Sequence, residues 1–224
     1  MAAELTSAQR YLRIGDQAPD FTAETQLGTL SLYEYLGDSW GILFSHPRDF
    51  TPVCTTELGT VAKLKDEWAR RNTKVIALSV DGAEEHHRWL ADIKEVQGAE
   101  VTYPVIADKD RKVALLYGML DQTHLAASGL PLTVRSVFVI APDRSIKLII
   151  TYPASTGRNF AEILRVLDSL QLTAYHKVAT PADWKSGDDT VVLPSVSDED
   201  ATKLFPKGFT KVKPYLRITP DPTK

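Results

Sequence analysis

The stretch from Gly41 to Glu57 constrains the fold most strongly, because it surrounds the only cysteine of the chain with a strand pattern, a turn and a helix start. Its first residues, Gly41-Ile42-Leu43-Phe44-Ser45, form a short apolar run typical of a buried strand. Thr51 is a good N-cap, and Pro52 suits the first turn of a helix, where its missing N–H costs nothing. The pattern therefore predicts that Cys54 lies in the first turn of a helix that directly follows a strand.

A cysteine in such a position can be a nucleophile. Unpaired backbone N–H groups and the positive end of the helix dipole favour an anion there, and for cysteine that anion is the reactive thiolate. A lone cysteine is most often a small buried hydrophobe, so its position alone does not decide between the two interpretations. A hydroxyl, an imidazole and an arginine close by in the sequence make the setting electropositive and favour the thiolate.

The spacing Pro47-x-x-x-Thr51-x-x-Cys54 resembles the active-site signature of the peroxiredoxins. The wider run from His46 to Glu57 resembles their one-cysteine subfamily, the peroxiredoxin 6 type, and the similarity extends along nearly the whole chain, including residues 153–160 and 205–208. The resemblance implies a thiol-specific peroxidase that reduces hydrogen peroxide and small organic hydroperoxides through a sulfenic acid on Cys54. It implies no metal and no organic cofactor.

Four further residues are expected to act on the sulfur. Thr51 can offer its hydroxyl to the sulfur or to the peroxide. By resemblance, Arg135 is the arginine that a distant strand brings to face the thiolate, and His46 lies close to the sulfur. Pro47 would shield the sulfur from bulk water. A surface position for Arg135, and an ordinary satisfied histidine at a strand end for His46, remain open alternatives.

Two residues are expected to support this site rather than to touch the substrate. By resemblance, Glu57 buffers the arginines together with Arg158, although Glu57 can equally be read as a solvated helix residue. No second cysteine can resolve the sulfenic acid within the chain, so the reductant must come from outside. Glutathione, in the family sometimes delivered by a glutathione transferase, another small thiol, ascorbate and a thioredoxin-type protein all stay open.

The order of elements predicts an α/β fold with a mixed sheet, because strands alternate with helices before a final hairpin and helix. The resemblance implies a thioredoxin-like fold, with the central sheet flanked by helices and a smaller C-terminal domain. We therefore expect a peroxidase domain over residues 8–172 and a C-terminal extension over 173–224, where regular patterning is weak. The expected elements include a helix over 52–71, a loop over 123–133, a hairpin of 136–140 with 146–152, and a helix over 159–172. By inference from the family, the strand 146–152 would pair with its twin in a homodimer.

A second motif, Gly37-Asp38-Ser39-Trp40-Gly41, fits the G-x-S-x-G pattern of a serine nucleophile. A nucleophile elbow needs a strand before the serine and a helix after it, whereas here a loop precedes and a strand follows. The resembled subfamily carries this pentapeptide with an assigned phospholipase A2 activity, and Asp143 matches its aspartate. Tyr33 stands at the histidine position, and tyrosine is no neutral-pH base. An acyl hydrolase at Ser39 and a redox-triggered chaperone are the rival functions.

Composition excludes several other classes. The net charge is −3 and 43% of the residues are hydrophobic, which gives no electrostatic case for nucleic acid or a membrane surface. No apolar run is long enough to span a bilayer, and Met1 to Asp16 lack the apolar core of a signal peptide. The adjacent His86 and His87 point in different directions on a helix and cannot chelate one metal. A single cysteine fits a reducing compartment, so we expect a cytoplasmic protein.

Overall fold

The structure, a computed structural model, describes residues 11–224. Two compact units make up the chain: the first ends at Arg158 and the second comprises Asn159–Lys224. The predicted boundary at 172/173 instead falls inside a helix, and the domain limits stay a prediction. Residues 8–10 of the predicted first domain, and most of the N-terminal segment analysed for a signal, lie outside the described residues.

The first unit contains nine strands and five helices among the described residues. Its strands are β1 (Thr22–Thr25), β2 (Gly28–Ser31), β3 (Trp40–Ser45), β4 (Thr73–Ser79), β5 (Val105–Ala107), β6 (Leu120–Leu125), β7 (Pro131–Thr133), β8 (Arg135–Ile140) and β9 (Ile146–Tyr152). Its helices are α1 (Leu32–Leu36), α2 (Pro52–Lys63), α3 (Lys65–Arg70), α4 (Ala83–Gln97) and α5 (Lys112–Leu116).

A seven-stranded mixed sheet organises this unit, in the order β2-β1-β5-β4-β3-β8-β9. The apolar run that predicts a buried strand is β3, and all six of its residues are buried. It pairs in parallel with β4 and antiparallel with β8. The predicted hairpin of β8 and β9 is confirmed, as is the mixed α/β sheet. The core of the unit is built from buried residues of the sheet and of α1 and α5, among them Leu36, Leu43, Ile76 and Phe138.

Three local predictions are wrong. The helix expected over 52–71 is two helices, because the backbone leaves helical geometry at Leu64 (φ −89°, ψ 14°). The segment 123–133, expected as a loop, contributes to the antiparallel hairpin of β6 and β7. The spacing of Ser31 and Glu34 also predicts a capping box, but the side chain of Ser31, the N-cap residue of α1, makes no capping hydrogen bond.

The second unit is more regular than its sequence pattern indicates. It consists of α6 (Phe160–Tyr175), β10 (Val178–Ala179), β11 (Thr190–Val192), α7 (Asp198–Leu204), β12 (Thr210–Lys213) and β13 (Leu216–Thr219). Asn159 caps α6 by accepting a hydrogen bond from the backbone N–H of Glu162. The four strands form an antiparallel sheet in the order β10-β11-β13-β12. The core of this unit includes Leu172, Trp184, Val192 and Phe205.

Within the described residues, no helix is both long and apolar enough to cross a bilayer.

Candidate active site

The sheet topology brings the predicted site residues to one edge. Because β8 runs antiparallel to β3, the first residue of β8 lies beside the last residues of β3, with Phe44 opposite Val137. Arg135 begins β8, and the chain that leaves β3 at Ser45 turns directly into α2. Cys54 lies in the first turn of α2, behind Pro52 at its start, as the sequence predicts. Two segments far apart in the sequence thus meet at the cysteine.

Arg135 is the hydrogen-bond partner of the sulfur. Its Nη1 lies 3.3 Å from Cys54 Sγ, and both side chains are buried. The other guanidinium nitrogens, Nε and Nη2, donate to the carbonyl oxygen of Ala154 at 2.9 and 2.5 Å. The guanidinium is therefore held on one side by backbone and presents its remaining nitrogen to the sulfur. A fixed cationic donor at this distance stabilises the thiolate over the neutral thiol.

Glu57, one turn after Cys54, is hydrogen-bonded to two arginines. Its Oε2 accepts from Arg135 Nη1 at 2.7 Å and from Arg158 Nη2 at 2.7 Å. Its Oε1 accepts from the backbone N–H and the Nε of Arg158 at 2.8 and 2.9 Å. Burial raises the pKa of Glu57, but the hydrogen bonds and charges of Arg158 and then Arg135 outweigh it and lower the pKa overall. The buried cluster therefore holds one carboxylate and two guanidinium groups.

Arg158 also connects this cluster to the sheet. Its Nη1 donates to the carbonyl oxygens of Ser45 and Ser136, at 2.8 and 3.0 Å, and its guanidinium lies over the ring of Phe44. These contacts fix Arg158 to the ends of β3 and β8. The geometry around Arg135 is thereby set by the same two strands that carry it.

Thr51 and Pro47 lie in the turn between β3 and α2. Thr51 is the N-cap residue, but its side chain does not cap the helix; its Oγ1 donates to the carbonyl oxygen of Arg48 at 2.9 Å. Pro47 is buried. Next to Thr51, Phe50 adopts a positive φ of 54°, a strained conformation for a bulky residue.

His46 makes contacts that its position in the sequence does not predict. Its Nε2 lies 2.9 Å from Asp49 Oδ1, and its ring packs 5.1 Å from that of Trp89. No hydrogen bond between described residues joins His46 to Cys54. Asp49 Oδ2 in turn lies 2.5 Å from Nδ1 of His86, on α4. His46 therefore belongs to a buried pair of histidines that share one carboxylate.

Asp49 and His86 are the site residues that sequence reasoning misses. Both are buried, with Asp49 3% exposed and His86 fully enclosed. Burial by itself raises the pKa of Asp49, but hydrogen bonds from His46 and His86 and their charge hold that pKa well below its usual range. A carboxylate three residues after a predicted site histidine was the available signal for Asp49. His86 is 37 positions away from Asp49, and only the fold brings them together.

The serine motif has a structural explanation. Gly37 ends α1 with a positive φ of 52°, and a Cβ on Gly41 would lie 2.7 Å from a methyl carbon of Leu36. The hydroxyl of Ser39 donates to Asn72 Oδ1 at 3.0 Å. A cavity of about 340 Å³ opens beside Ser39, and among residues 11–224 neither a histidine nor a carboxylate lines it. Both glycines of the pattern are thus required by the turn and by packing.

The other two members of the proposed hydrolase triad do not approach Ser39. The hydroxyl of Tyr33 donates to the carbonyl oxygen of Ala18 at 2.6 Å. The carboxylate of Asp143 accepts from the backbone and side chain of Ser145. Neither is hydrogen-bonded to the serine, so the residues that the structure describes assemble no general base at this motif.

Comparison with known proteins gives matches along most of the chain. Residues 14–149 match the model of the AhpC/TSA family, and residues 169–208 match the C-terminal domain of 1-Cys peroxiredoxin. The chain is 59% identical to a 1-Cys peroxiredoxin of Dictyostelium discoideum, over 96% of this chain and 87% of that protein.

Solved structures show the same similarity. A cysteine-to-serine mutant of peroxiredoxin 6 of Arenicola marina superposes with a TM-score of 0.89 at 50% identity, covering 95% of this chain and all of that one. A yeast mitochondrial 1-Cys peroxiredoxin, studied for thiol resolution via glutathione/thioredoxin systems, gives a TM-score of 0.87 at 51% identity, covering 93% of this chain and 99% of that one. The thioredoxin-like α/β fold with a C-terminal domain is thereby confirmed.

Proposed function

Because the chain belongs to the AhpC/TSA family as a one-cysteine peroxiredoxin, and is therefore a peroxidase, we propose that it reduces hydrogen peroxide and small organic hydroperoxides at Cys54. Its thiolate attacks one peroxide oxygen, so that an S–O bond forms as the O–O bond breaks. The second oxygen leaves as hydroxide or alkoxide and takes up a proton, and Cys54 becomes a sulfenic acid. The observation that carries this proposal is the 3.3 Å contact between Arg135 Nη1 and Cys54 Sγ.

Arg135 acts twice in this reaction. Its permanent charge stabilises the thiolate before attack and the negative charge that develops on the leaving oxygen afterwards. Glu57 and Arg158 are positioning residues. Their buried ion pairs support this role. Glu57 holds the guanidinium of Arg135 in place and Arg158 holds Glu57, and the two guanidinium groups with one carboxylate leave a net positive charge beside the sulfur.

Thr51 orients the peroxide. Its Oγ1 already donates to the carbonyl oxygen of Arg48, so its lone pair remains to accept a hydrogen bond from the peroxide O–H. Pro47 limits access of bulk water to the sulfur, and its burial supports that assignment. His46 takes up the proton that the thiol gives up. Its hydrogen bond to the carboxylate of Asp49 supports this role.

The sulfenic acid is reduced by an external donor, because the chain has no second cysteine. The yeast relative is described with glutathione and thioredoxin systems, and we propose a thiol donor here also. Glutathione, with or without a glutathione transferase, comes first, then thioredoxin, and ascorbate is the non-thiol alternative. Such donors are abundant in a reducing compartment, so a cytoplasmic location follows from the same proposal.

A homodimer completes the proposal. Strand β9 is an edge strand of the seven-stranded sheet, with β8 as its only neighbour in the described part of the chain. At the start of β9 the backbone of Ile146 is hydrogen-bonded to Gly15 and Asp16, and the edge beyond it favours pairing with a second copy across a two-fold axis. Residues 8–172 would carry the peroxidase chemistry and residues 173–224 would form the C-terminal extension.

Trapping of the sulfenic acid tests the site directly. After one equivalent of hydrogen peroxide and then dimedone, mass spectrometry of the full chain should locate a single adduct on Cys54. Consumption of peroxide should then resume when glutathione or thioredoxin with its reductase is supplied. A chain that consumes peroxide without any adduct on Cys54 would refute the assignment.

A further inference from the structure

The hydrogen-bond partners of His86 fix its protonation state. Its Nδ1 faces the carboxylate of Asp49 at 2.5 Å, and its Nε2 faces the carbonyl oxygen of Ile106 at 3.2 Å. Both partners are acceptors only, so each ring nitrogen has to donate a proton. His86 is therefore an imidazolium cation, buried against a carboxylate anion.

The same argument fixes the tautomer of His46. Its Nε2 faces the other oxygen of Asp49 and donates to it, so in the neutral ring Nδ1 carries no proton. This nitrogen is fully buried and has no hydrogen-bond partner among the described residues. In this tautomer His46 keeps one buried, unused lone pair, on Nδ1.

His46 belongs to the surroundings of the sulfur. It directly follows Ser45, whose carbonyl oxygen binds the arginine cluster through Arg158. Its ring packs on Trp89, and the indole N–H of Trp89 donates at 3.1 Å to the hydroxyl of Thr55, the residue after Cys54. The histidine is thus held between the end of β3 and the first turn of α2.

We propose that Asp49 and His86 are positioning residues of the peroxidase reaction, which fix His46 in the tautomer whose Nδ1 accepts the proton of the Cys54 thiol. This inference rests on the proposed function of Cys54. In the first step the S–H bond breaks, the proton moves to Nδ1, and the thiolate remains beside Arg135. When the thiolate has taken an oxygen from the peroxide, the same proton passes to the leaving oxide, giving water or an alcohol.

The charged groups around this histidine are few. Asp49 and His86 contact each other, and Asp49 also accepts from Ser79 Oγ at 3.2 Å. Ser79 Oγ also lies 3.0 Å from Asp81 Oδ2, and the carboxylate of Asp81 lies 4.0 Å from exposed Arg48. On the side of the sulfur the charged groups are Arg135, Glu57 and Arg158. The contacts from Asp49 through Ser79 to Asp81 therefore connect the buried Asp49 and His86 with groups near the surface.

Histidine nitrogen NMR on the full chain tests the tautomer without any peroxidase assay. In a Cys54→Ser variant, which has no acidic thiol proton, His46 should carry a proton on Nε2 only and His86 on both nitrogens. In the native reduced protein, His46 should gain a second proton, on Nδ1. A proton on Nδ1 of His46 in the serine variant, or the same state of His46 in both proteins, would overturn the inference.

Kinetics of Cys54 oxidation test the role. At pH 7, Asp49→Asn and His86→Gln should each lower the rate with hydrogen peroxide by about 10- to 100-fold. The rates should recover as the pH rises above the usual thiol pKa of about 8.5, where hydroxide replaces the lost base. The matched control is His87→Gln, at the exposed neighbouring position on α4, which should leave the rate unchanged.

Two outcomes separate this inference from the function on which it rests. If the native protein oxidises quickly but His86→Gln follows the native rate at every pH, the role of the pair is refuted while the peroxidase site stands. If native Cys54 itself reacts no faster than free cysteine, the proposed function fails. The protonation states of His46 and His86 remain measurable in that case.

Discussion

The two ends of β3 carry the two candidate nucleophiles of this chain, and their surroundings differ completely. Ser39 precedes the strand and is hydrogen-bonded to the side chain of Asn72. Cys54 follows the strand, with a guanidinium at 3.3 Å and a buried carboxylate and second guanidinium behind it. Ser39 thus matches the sequence pattern of a nucleophile, whereas Cys54, at the other end of the strand, has the chemical environment of one.

The contrast teaches that partners, not pattern, make a nucleophile. A short pattern is satisfied by glycines that a turn and a close packing contact require anyway, as at Gly37 and Gly41. A catalytic site needs groups that change the proton affinity of the nucleophile and stabilise charge on the substrate. Around Cys54 such groups come from α2, β8 and the loop that ends at Arg158.

The largest effect is expected from Cys54→Ser. A serine hydroxyl is not ionised by a neighbouring arginine at neutral pH, so peroxide reduction with dithiothreitol as reductant should disappear altogether. Hydrogen peroxide consumption measures this, with the unchanged protein as reference. Any enzymatic consumption that persists in the serine variant would mean that the reactive centre lies elsewhere.

Replacement of the arginine partner comes next. Arg135→Met removes the cation beside the sulfur and should lower the second-order rate of Cys54 oxidation by about 100- to 1,000-fold. Arg88→Met, at an exposed position on α4 paired with Glu85, is the control and should change the rate little. Equal rates for the two variants would remove Arg135 from the mechanism.

A third prediction concerns the stability of the arginine cluster. Glu57→Gln leaves two buried guanidinium groups without their carboxylate and should lower the free energy of unfolding by about 3–5 kcal/mol. Urea denaturation measures the loss. Glu199→Gln, which breaks an exposed pair with Lys203, should cost less than about 1 kcal/mol. A similar loss in both variants would show that the buried cluster contributes no more to stability than an exposed ion pair.

The same cluster predicts a dependence on pH. The folded state lowers the pKa of Glu57, so its contribution is fully present above the usual value of 4.5 and is lost as the pH falls towards the lower, folded value. The native protein should lose stability below about pH 4.5, whereas Glu57→Gln should lose less over the same range. The pKa of Asp49 is also lowered, from its usual 3.8, so in both proteins its contribution is lost at lower pH and some acid sensitivity remains in the variant.

The smallest effect is expected at the other end of β3. Ser39→Ala removes one side-chain hydrogen bond and should cost about 1 kcal/mol of stability with no change in peroxide reduction. Ester hydrolysis by the native protein should be undetectable above the uncatalysed rate. Hydrolysis by the native protein that disappears in Ser39→Ala would show that Ser39 is a catalytic nucleophile and would contradict the comparison with Cys54.

How much the sequence predicts depends on whether the signal is local. The strand, turn and helix start around Cys54 are coded by adjacent residues, and all three are confirmed. The break at Leu64 is missed because apolar spacing continues through it and no glycine or proline marks it. The hairpin of β6 and β7 is missed because most of β6 is exposed, so its residues show no buried, alternating face.

Some residues of the site could be predicted from the sequence and others could not. Family resemblance supplies Arg135, Glu57 and Arg158, which the fold brings together as expected. That His86 shares the carboxylate of Asp49 with His46 cannot be seen in the sequence, because His86 approaches only when α4 packs beside the turn after β3. The short strands of the second unit, two to four residues each, likewise carry too few residues to show a period of two.

The central claim is that Cys54 is an activated thiolate, and its rate of oxidation tests it most directly. Stopped-flow mixing with hydrogen peroxide can be followed by tryptophan fluorescence, since Trp89 packs on His46 next to the site. The account predicts a second-order rate many orders of magnitude above that of free cysteine, and no signal from Cys54→Ser. A rate equal to that of free cysteine would contradict it.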